Sequence, residues 1–234
     1  MKIAIYGDSF VKSSMSSYSW PEFLKKDYDV IVDAAPGASI EYVLKKFNEN
    51  QQNFDKIIIV LTEPSRIFLP NHPHFQHMYL NEIFIKNLTK DISQKHQKEI
   101  LEYFYFHTKY VHDEEVCRLK YLAFNDYILK KRPDVLILPA FTVNDNSIMP
   151  LSCISNIDTS HKVYGRKLYK ESSTVGDPRP CHMSVPNNLI LSKKIKKWIK
   201  TGKFSHLVND YVSVENYEQL FKLPIDNIDN SCYN

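Results

Sequence analysis

The stretch Lys2–Ser9, with the sequence KIAIYGDS, contains the first structural signal of the chain. Its apolar part, residues 2–6, predicts a short strand, which Gly7-Asp8-Ser9 then interrupts. A continuous, β-branched apolar run at Ile57–Leu61 predicts a strand buried on both faces, as in parallel sheets. Two further strands are predicted at Asp29–Ala34 and Val135–Leu138.

Segments with helical spacing separate these strands. Helices are predicted at Pro21–Lys26, Ile40–Asn48, Leu80–Phe106 (one long helix or two), Asp113–Lys131 and Ser184–Lys200. The alternation predicts an α/β fold, a three-layer α/β/α sandwich with a mainly parallel sheet of the flavodoxin-like kind. Residues 140–183 lack periodicity and are expected to be irregular. We expect one domain at 1–202 and a C-terminal extension at 203–234.

Composition excludes several classes of protein. The 234 residues carry 30 basic and 27 acidic side chains, a net charge of +3, which argues against a dedicated nucleic-acid binder. No apolar run is long enough to span a membrane or to form the core of a signal peptide, so no membrane partner and a cytoplasmic location are expected. The four cysteines show no C-x-x-C pair, which favours a reduced compartment and no metal framework.

The carboxyl ends of the predicted strands are where ligands bind in such sheets. The turns there contain Ser9, Gly37 and the segment Thr62–Arg66. A serine at a strand end becomes a nucleophile when a histidine takes its proton, and His182 stands just before the last predicted helix. Backbone N–H groups in tight turns stabilise an oxyanion, and glycine permits the close approach.

These residues resemble the blocks of the SGNH (GDSL-type) hydrolases. The opening KIAIYGDSF is similar to the family's first block, Gly37 to its second-block glycine, and Asp177–His182 followed by a helix to its last block. The resemblance spans about residues 1–200. A Trp-Pro after the first block and T-[D/E]-P-x-R after the third strand resemble, more narrowly, SGNH-like proteins from phages.

The resemblance implies a serine esterase with Ser9 as nucleophile and His182 as base. It also implies the N–H groups of Ser9 and Gly37 as oxyanion donors and requires no cofactor. The family's third block usually supplies an asparagine as a further donor. Here that place is occupied by Thr62, whose hydroxyl could substitute, and by Glu63, which would oppose an oxyanion.

The last block also departs from the family's D-x-x-H pattern. Arg179 stands three residues before His182, and the nearest aspartate, Asp177, stands five before it. Either a bulge keeps Asp177 on the imidazole, or a backbone carbonyl orients the ring in a dyad. The choice matters because the orienting group controls the histidine tautomer.

Structural roles compete with the catalytic ones. Ser9 could cap a helix, and Asp8 is expected to hold its own loop. Arg66 could grip a substrate or form a structural ion pair, for instance with Glu63. The H-x-H-x-x-H run at His72–His77 lacks a helix to align it, so no metal site is expected.

The lysines at Lys193–Lys200 are interpreted first as a solvated helix face, with contact to a polyanion as the alternative. The leading functional hypothesis is hydrolysis of a small-molecule or glycan ester through an acyl-serine. The alternatives are a non-catalytic SGNH-fold module, structural or glycan-binding, and an acyltransferase. The sequence gives no oligomeric state.

Overall fold

A computed structural model describes residues 1–11, 19–71, 77–78, 93–141, 148–157 and 183–212 of the chain. The strands are β1 (Lys2–Gly7), β2 (Asp29–Ala34), β3 (Lys56–Leu61), β4 (Ile67–Phe68), β5 (His77–Met78) and β6 (Leu136–Pro139). The helices are α1 (Trp20–Lys25), α2 (Ile40–Asn50), α3 (Gln94–Tyr110), α4 (Glu114–Lys131), α5 (Leu151–Ile157) and α6 (Val185–Thr201). Short 3₁₀ turns lie at Gln51–Asn53 and Val208–Asp210.

In the described residues one parallel sheet has the strand order β2-β1-β3-β6. Ile5 pairs with Val32 on one side and with Ile58 on the other, so β1 lies between β2 and β3. β4 and β5 form a separate antiparallel pair. The predicted fold class, α/β with a parallel sheet covered by helices, is confirmed.

The two faces of the sheet carry two separate cores. Ile3, Ile5, Ile58 and Val60 pack with residues of α1, α5 and α6. The alternate residues of the same strands, including Ala4 and Ile59, pack with α2 and α4. Apolar side chains on both faces explain why the strands appear in the sequence as continuous hydrophobic runs, and they create the three layers.

The helix boundaries follow local capping chemistry. Ser39 accepts a hydrogen bond from the N–H of Tyr42 at the start of α2, and Asp113 accepts one from Val116 at the start of α4. Gly202, with φ 71°, ends α6 in the left-handed conformation, as its position just past the helix predicted.

Two segments differ from the predicted elements. The expected irregular stretch 140–183 contains the helix α5, which has only seven residues, too few to show a periodicity. Tertiary packing stabilises it instead, because Leu151 and Ile154 are fully buried. Of the predicted Leu80–Phe106 helix, residues 80–92 lie outside the described residues, and α3 continues beyond the prediction to Tyr110.

The first part of the predicted C-terminal extension, residues 203–212, returns along α6 and packs against the core on that face of the sheet. Tyr211 and His206 are buried, and the Asn187 side chain exchanges two hydrogen bonds of 2.9 Å with the backbone of Val212. The division of the chain at residue 202 stays a prediction.

Candidate active site

The turn that carries Ser9 is held tightly against β3. A Cβ atom on Gly7 would lie 2.5 Å from Val11 Cγ2 and 2.9 Å from Val60 Cβ, so only glycine allows this approach. The turn is closed by a hydrogen bond of 3.1 Å from the N–H of Val11 to the carbonyl of Asp8. Ser9 is thereby placed at the carboxyl end of a central strand.

Ser9 is 8% exposed, and both of its neighbours are anchored. The N–H of Phe10 donates to Asp8 Oδ1 at 3.0 Å, an Asx-type turn. The carbonyl of Phe10 accepts a hydrogen bond of 2.9 Å from the indole N–H of Trp20. The backbone that follows Ser9 is therefore held by one hydrogen bond within the turn and by another from α1.

Asp8 is the centre of a buried polar cluster. The side chain is fully buried, and its Oδ2 accepts hydrogen bonds from Thr62 Oγ1 at 3.0 Å and from the guanidinium of Arg66 at 2.6 Å. The expected structural role of Asp8 agrees with this arrangement. A buried carboxylate needs such partners because burial removes its hydration.

Arg66 joins three loops rather than facing solvent. It is 4% exposed, and the nitrogen that contacts Asp8 also donates to the carbonyl of Ala38 at 3.3 Å. Glu63, the ion-pair partner suggested by the sequence, is more distant, with 3.9 Å between the nearest charged atoms. The ring of Phe141 lies beneath the guanidinium at 5.2 Å. Arg66 thus forms a structural ion pair, the alternative that the sequence left open, with Asp8 as its partner.

Thr62 also contacts Asp8. Its hydroxyl donates to Asp8 Oδ2, and the side chain is 1% exposed. The oxyanion role of Thr62 stays a prediction. Sequence reasoning missed the Asp8–Arg66 pair, because the strand order that brings the turns after β1 and β3 together was not predicted from the sequence.

Gly37 lies in the turn after β2, beside the Ser9 turn. It has φ 78°, and the N–H of Ala38 donates to the carbonyl of Ala35 at 2.9 Å. Proline at the second position and a positive φ at the third are the features of a type II turn. In the described part of the chain the N–H of Gly37 has no acceptor, and the residue is buried.

His182 and Asp177 lie outside the described residues. The chain resumes at Met183, which packs in the same core cluster as Phe10. Asn188, in the first turn of α6, accepts a hydrogen bond of 2.9 Å from the N–H of Trp20. Trp20 thus connects the start of α6 with the Ser9 turn.

Two charged contacts set the direction of α6. Lys196 forms an ion pair of 2.6 Å with Asp27, which precedes β2, and Lys56, the first residue of β3, lies over the ring of Trp198 at 5.4 Å. The far end of α6 therefore lies at the amino edge of the sheet. Its first turn lies at the carboxyl edge, where the Ser9 and Gly37 turns also lie.

No helix in the described residues combines the length and the apolar character that crossing a bilayer requires. No metal site was expected at the histidine run His72–His77. Two of its histidines, His72 and His74, lie outside the described residues.

Comparison with family models and with curated proteins finds no match. A similar solved structure is a protein from Desulfitobacterium hafniense DCB-2 that is assigned to the G-D-S-L family of lipolytic proteins. The sequences are 13% identical, the match covers 62% of this chain and 81% of that one, and the TM-score is 0.28. A likeness at this level carries no argument about activity or site residues in this chain.

Proposed function

We propose that this chain is a serine ester hydrolase with Ser9 as its nucleophile. The observation that carries the proposal is the side-by-side placement of the Ser9 and Gly37 turns at the carboxyl edge of neighbouring parallel strands. One turn supplies a serine in fixed backbone, and the other supplies an N–H without an acceptor among the described residues. A nucleophile beside a backbone donor is the minimum needed for acyl transfer.

In the proposed reaction Ser9 Oγ attacks the carbonyl carbon of an ester while His182 takes the hydroxyl proton. The N–H groups of Ser9 and Gly37 stabilise the resulting oxyanion. The tetrahedral species then expels the alcohol, which receives the proton from His182, and leaves an acyl-Ser9. Water activated by His182 hydrolyses the acyl group and restores the serine. Asp177 is proposed to orient the imidazole.

The buried cluster gives Thr62 and Arg66 supporting roles in this proposal. Through Asp8 they fix the turn on which Ser9 stands, and through the carbonyl of Ala38 Arg66 fixes the loop of Gly37. The substrate is proposed to be a carboxylic ester, either a small molecule or an acylated glycan, which is the substrate class that the resemblance to SGNH hydrolases implies. No cofactor takes part in these steps.

The test is labelling of the full chain with a fluorophosphonate, which reacts with activated serines. We expect stoichiometric labelling of Ser9, mapped by peptide mass spectrometry, and its loss in Ser9→Ala and His182→Ala. Asp177→Asn should slow labelling without abolishing it if Asp177 orients the ring. Ser205→Ala, a change at an exposed serine at the opposite edge of the sheet, serves as the matched control and should label like the parent.

A second candidate is supported by one observation: the Thr62 hydroxyl, the replacement for the family's asparagine donor, is bonded to Asp8. A non-catalytic binding module would show no labelling of Ser9 under conditions in which a control esterase reacts fully. That result, obtained with protein whose circular dichroism shows an α/β fold, would overturn the hydrolase proposal.

A further inference from the structure

A groove lined by lysines lies far from the candidate active site. It has a volume of about 770 Å³ and runs along the second half of α6 and the segment that follows it. Its lining consists of Lys193, Lys194, Lys196, Lys197, Lys200, Thr201, Lys203, Phe204 and Ser205. Because the contacts of Lys196 and Trp198 place this end of α6 at the amino edge of the sheet, the length of a strand, about 20 Å, separates the groove from Ser9.

Four of these lysines share one face of the helix. Lys193, Lys196, Lys197 and Lys200 follow the spacing i, i+3, i+4, i+7, and each has like-charged neighbours three or four residues away. α6 contains no aspartate or glutamate that would offset them. Such pairs destabilise a helix, so the pattern is unfavourable unless an anion compensates the charge.

Other helices of the same protein do compensate their charges. On α3, Lys95 pairs with Glu99 and Lys98 pairs with Glu102, and on α4 Lys130 pairs with Asp126. On the groove, Lys194 pairs with Asp210 and Lys196 with Asp27. Lys197, Lys200 and Lys203 have no carboxylate partner in the described part of the chain. Attraction to the negative end of the helix dipole stabilises lysines only in the last turn of α6. That turn contains Lys200 but not Lys193.

We propose that this groove binds a nucleic-acid strand through its sugar–phosphate backbone. Lys193 and Lys200 are about 10 Å apart along the helix axis, which provides a row of charges rather than a single anion site. Lysines act as point charges without a fixed fork, and this suits contact with successive phosphates irrespective of base sequence. Phe204, half-buried in the lining, packs against the core with its ring 5.1 Å from that of His206, so the lysines carry the proposed contact.

This assignment departs from the solvated-face interpretation of the sequence. The overall charge of +3 concealed the site because acidic residues elsewhere in the chain balance it. The binding proposed here does not depend on Ser9, so it stands or falls separately from the hydrolase proposal.

The experiment measures fluorescence anisotropy of a labelled oligothymidylate of about 12 nucleotides with the full chain. We expect a Kd of about 1–100 µM at about 50 mM salt and weaker binding at about 200 mM. The triple variant Lys197→Gln/Lys200→Gln/Lys203→Gln should bind the oligonucleotide about tenfold more weakly. Its slope of log K against log salt should be less steep by about 2, because each lost phosphate contact reduces the slope by about 0.7.

The matched control is Lys95→Gln/Lys98→Gln/Lys109→Gln, which removes the same charge from α3. It should keep the parent affinity within about twofold, because α3 does not line the groove. If net charge alone attracted the oligonucleotide, both triples would bind it equally weakly. Ser9→Ala should bind like the parent.

Three results would overturn the proposal. One is equal loss of affinity in both triples. The second is no binding of the oligonucleotide by the parent at low salt. The third is binding of inorganic polyphosphate, or of vesicles containing an anionic lipid, without binding of the oligonucleotide. Circular dichroism of both triples establishes that any loss does not come from unfolding.

Discussion

At the scale of single residues, the ion pair of Asp8 and Arg66 is the strongest determinant of the candidate site. Both side chains are buried, with 2.6 Å between their charged atoms. An isolated charge in that position would be strongly unfavourable, whereas the hydrogen-bonded pair offsets the loss of hydration. Since the pair joins the loops after β1, β2 and β3, it orders the backbone around Ser9 before any substrate arrives.

Asp8→Asn tests this role. The change leaves the Arg66 cation buried without its counterion, so we expect the free energy of unfolding to fall by about 3–5 kcal/mol. Urea denaturation followed by circular dichroism measures the loss. Asp29→Asn, at an exposed position at the start of β2, is the control and should fall by less than about 0.5 kcal/mol.

A double variant separates pairing from packing. Asp8→Asn/Arg66→Met removes both charges, and its loss should be smaller than the sum of the two single losses by about 1–3 kcal/mol. Additive losses would show that Asp8 and Arg66 do not act as a pair.

At the scale of secondary-structure elements, a hydrogen-bonded link between α1 and α6 connects the Ser9 turn with the start of the last helix. Asn188 accepts from the N–H of Trp20 at 2.9 Å and donates to the carbonyls of Met183 and Ser184 at 3.0 Å. Trp20 in turn donates to the carbonyl of Phe10. The Asn188 side chain therefore ties the start of α6 to the Ser9 turn through Trp20.

Asn188→Ala should destabilise the protein and slow its labelling. The change leaves the buried N–H of Trp20 without its acceptor, which corresponds to about 1–3 kcal/mol of unfolding free energy. If α6 positions His182, which stands just before this helix in the sequence, fluorophosphonate labelling of Ser9 should slow under conditions where the variant stays folded. Asn209→Ala, at an exposed position, should change neither measurement. Normal stability of Asn188→Ala would contradict the link.

At the scale of the whole molecule, residues 203–212 complete the core on the face covered by α1, α5 and α6. Tyr211 packs in that core, and its hydroxyl lies 2.9 Å from Nδ1 of His206. The pKa of His206 is lowered to about 4, mainly by burial and also by the nearby Lys194, while a hydrogen bond with the Met149 backbone and the charge of Asp210 act in the opposite direction. His206 is thus neutral in the folded protein at pH 7.

This histidine predicts how stability depends on pH. Its pKa is about 4 when folded and about 6.5 when unfolded, so the unfolded state binds more protons between these values. The contribution of the neutral His206 to the free energy of unfolding is fully present above a pH of about 6.5. It is lost as the pH falls toward 4, by up to about 3 kcal/mol.

Urea denaturation at a series of pH values from about 7 to 4.5 measures the effect. His206→Gln should flatten the curve in this range. An equal slope for the parent and His206→Gln would contradict a buried neutral His206.

Local sequence determined the strands of the parallel sheet and, in the described residues, every α-helix except α5. The apolar runs of β1 and β3, the capping residues Ser39 and Asp113, and Gly202 past α6 each act within a few residues, so their effects could be predicted without the fold. The turn glycines could also be predicted, because the strand ends around Gly7 and Gly37 require tight backbone. The parallel arrangement followed from the burial of both strand faces.

Only the tertiary structure decided which polar groups meet. Asp8 and Arg66 are 58 residues apart in the chain, and nothing local to either one shows that Arg66 contacts Asp8 rather than Glu63 or a substrate. The short α5 is stabilised by core contacts that no periodicity reveals. The lysines of α6 were visible in the sequence, but the groove that gathers them depends on the return of residues 203–205 along the helix. Such contacts join distant parts of the chain, so their energies depend on the folded geometry.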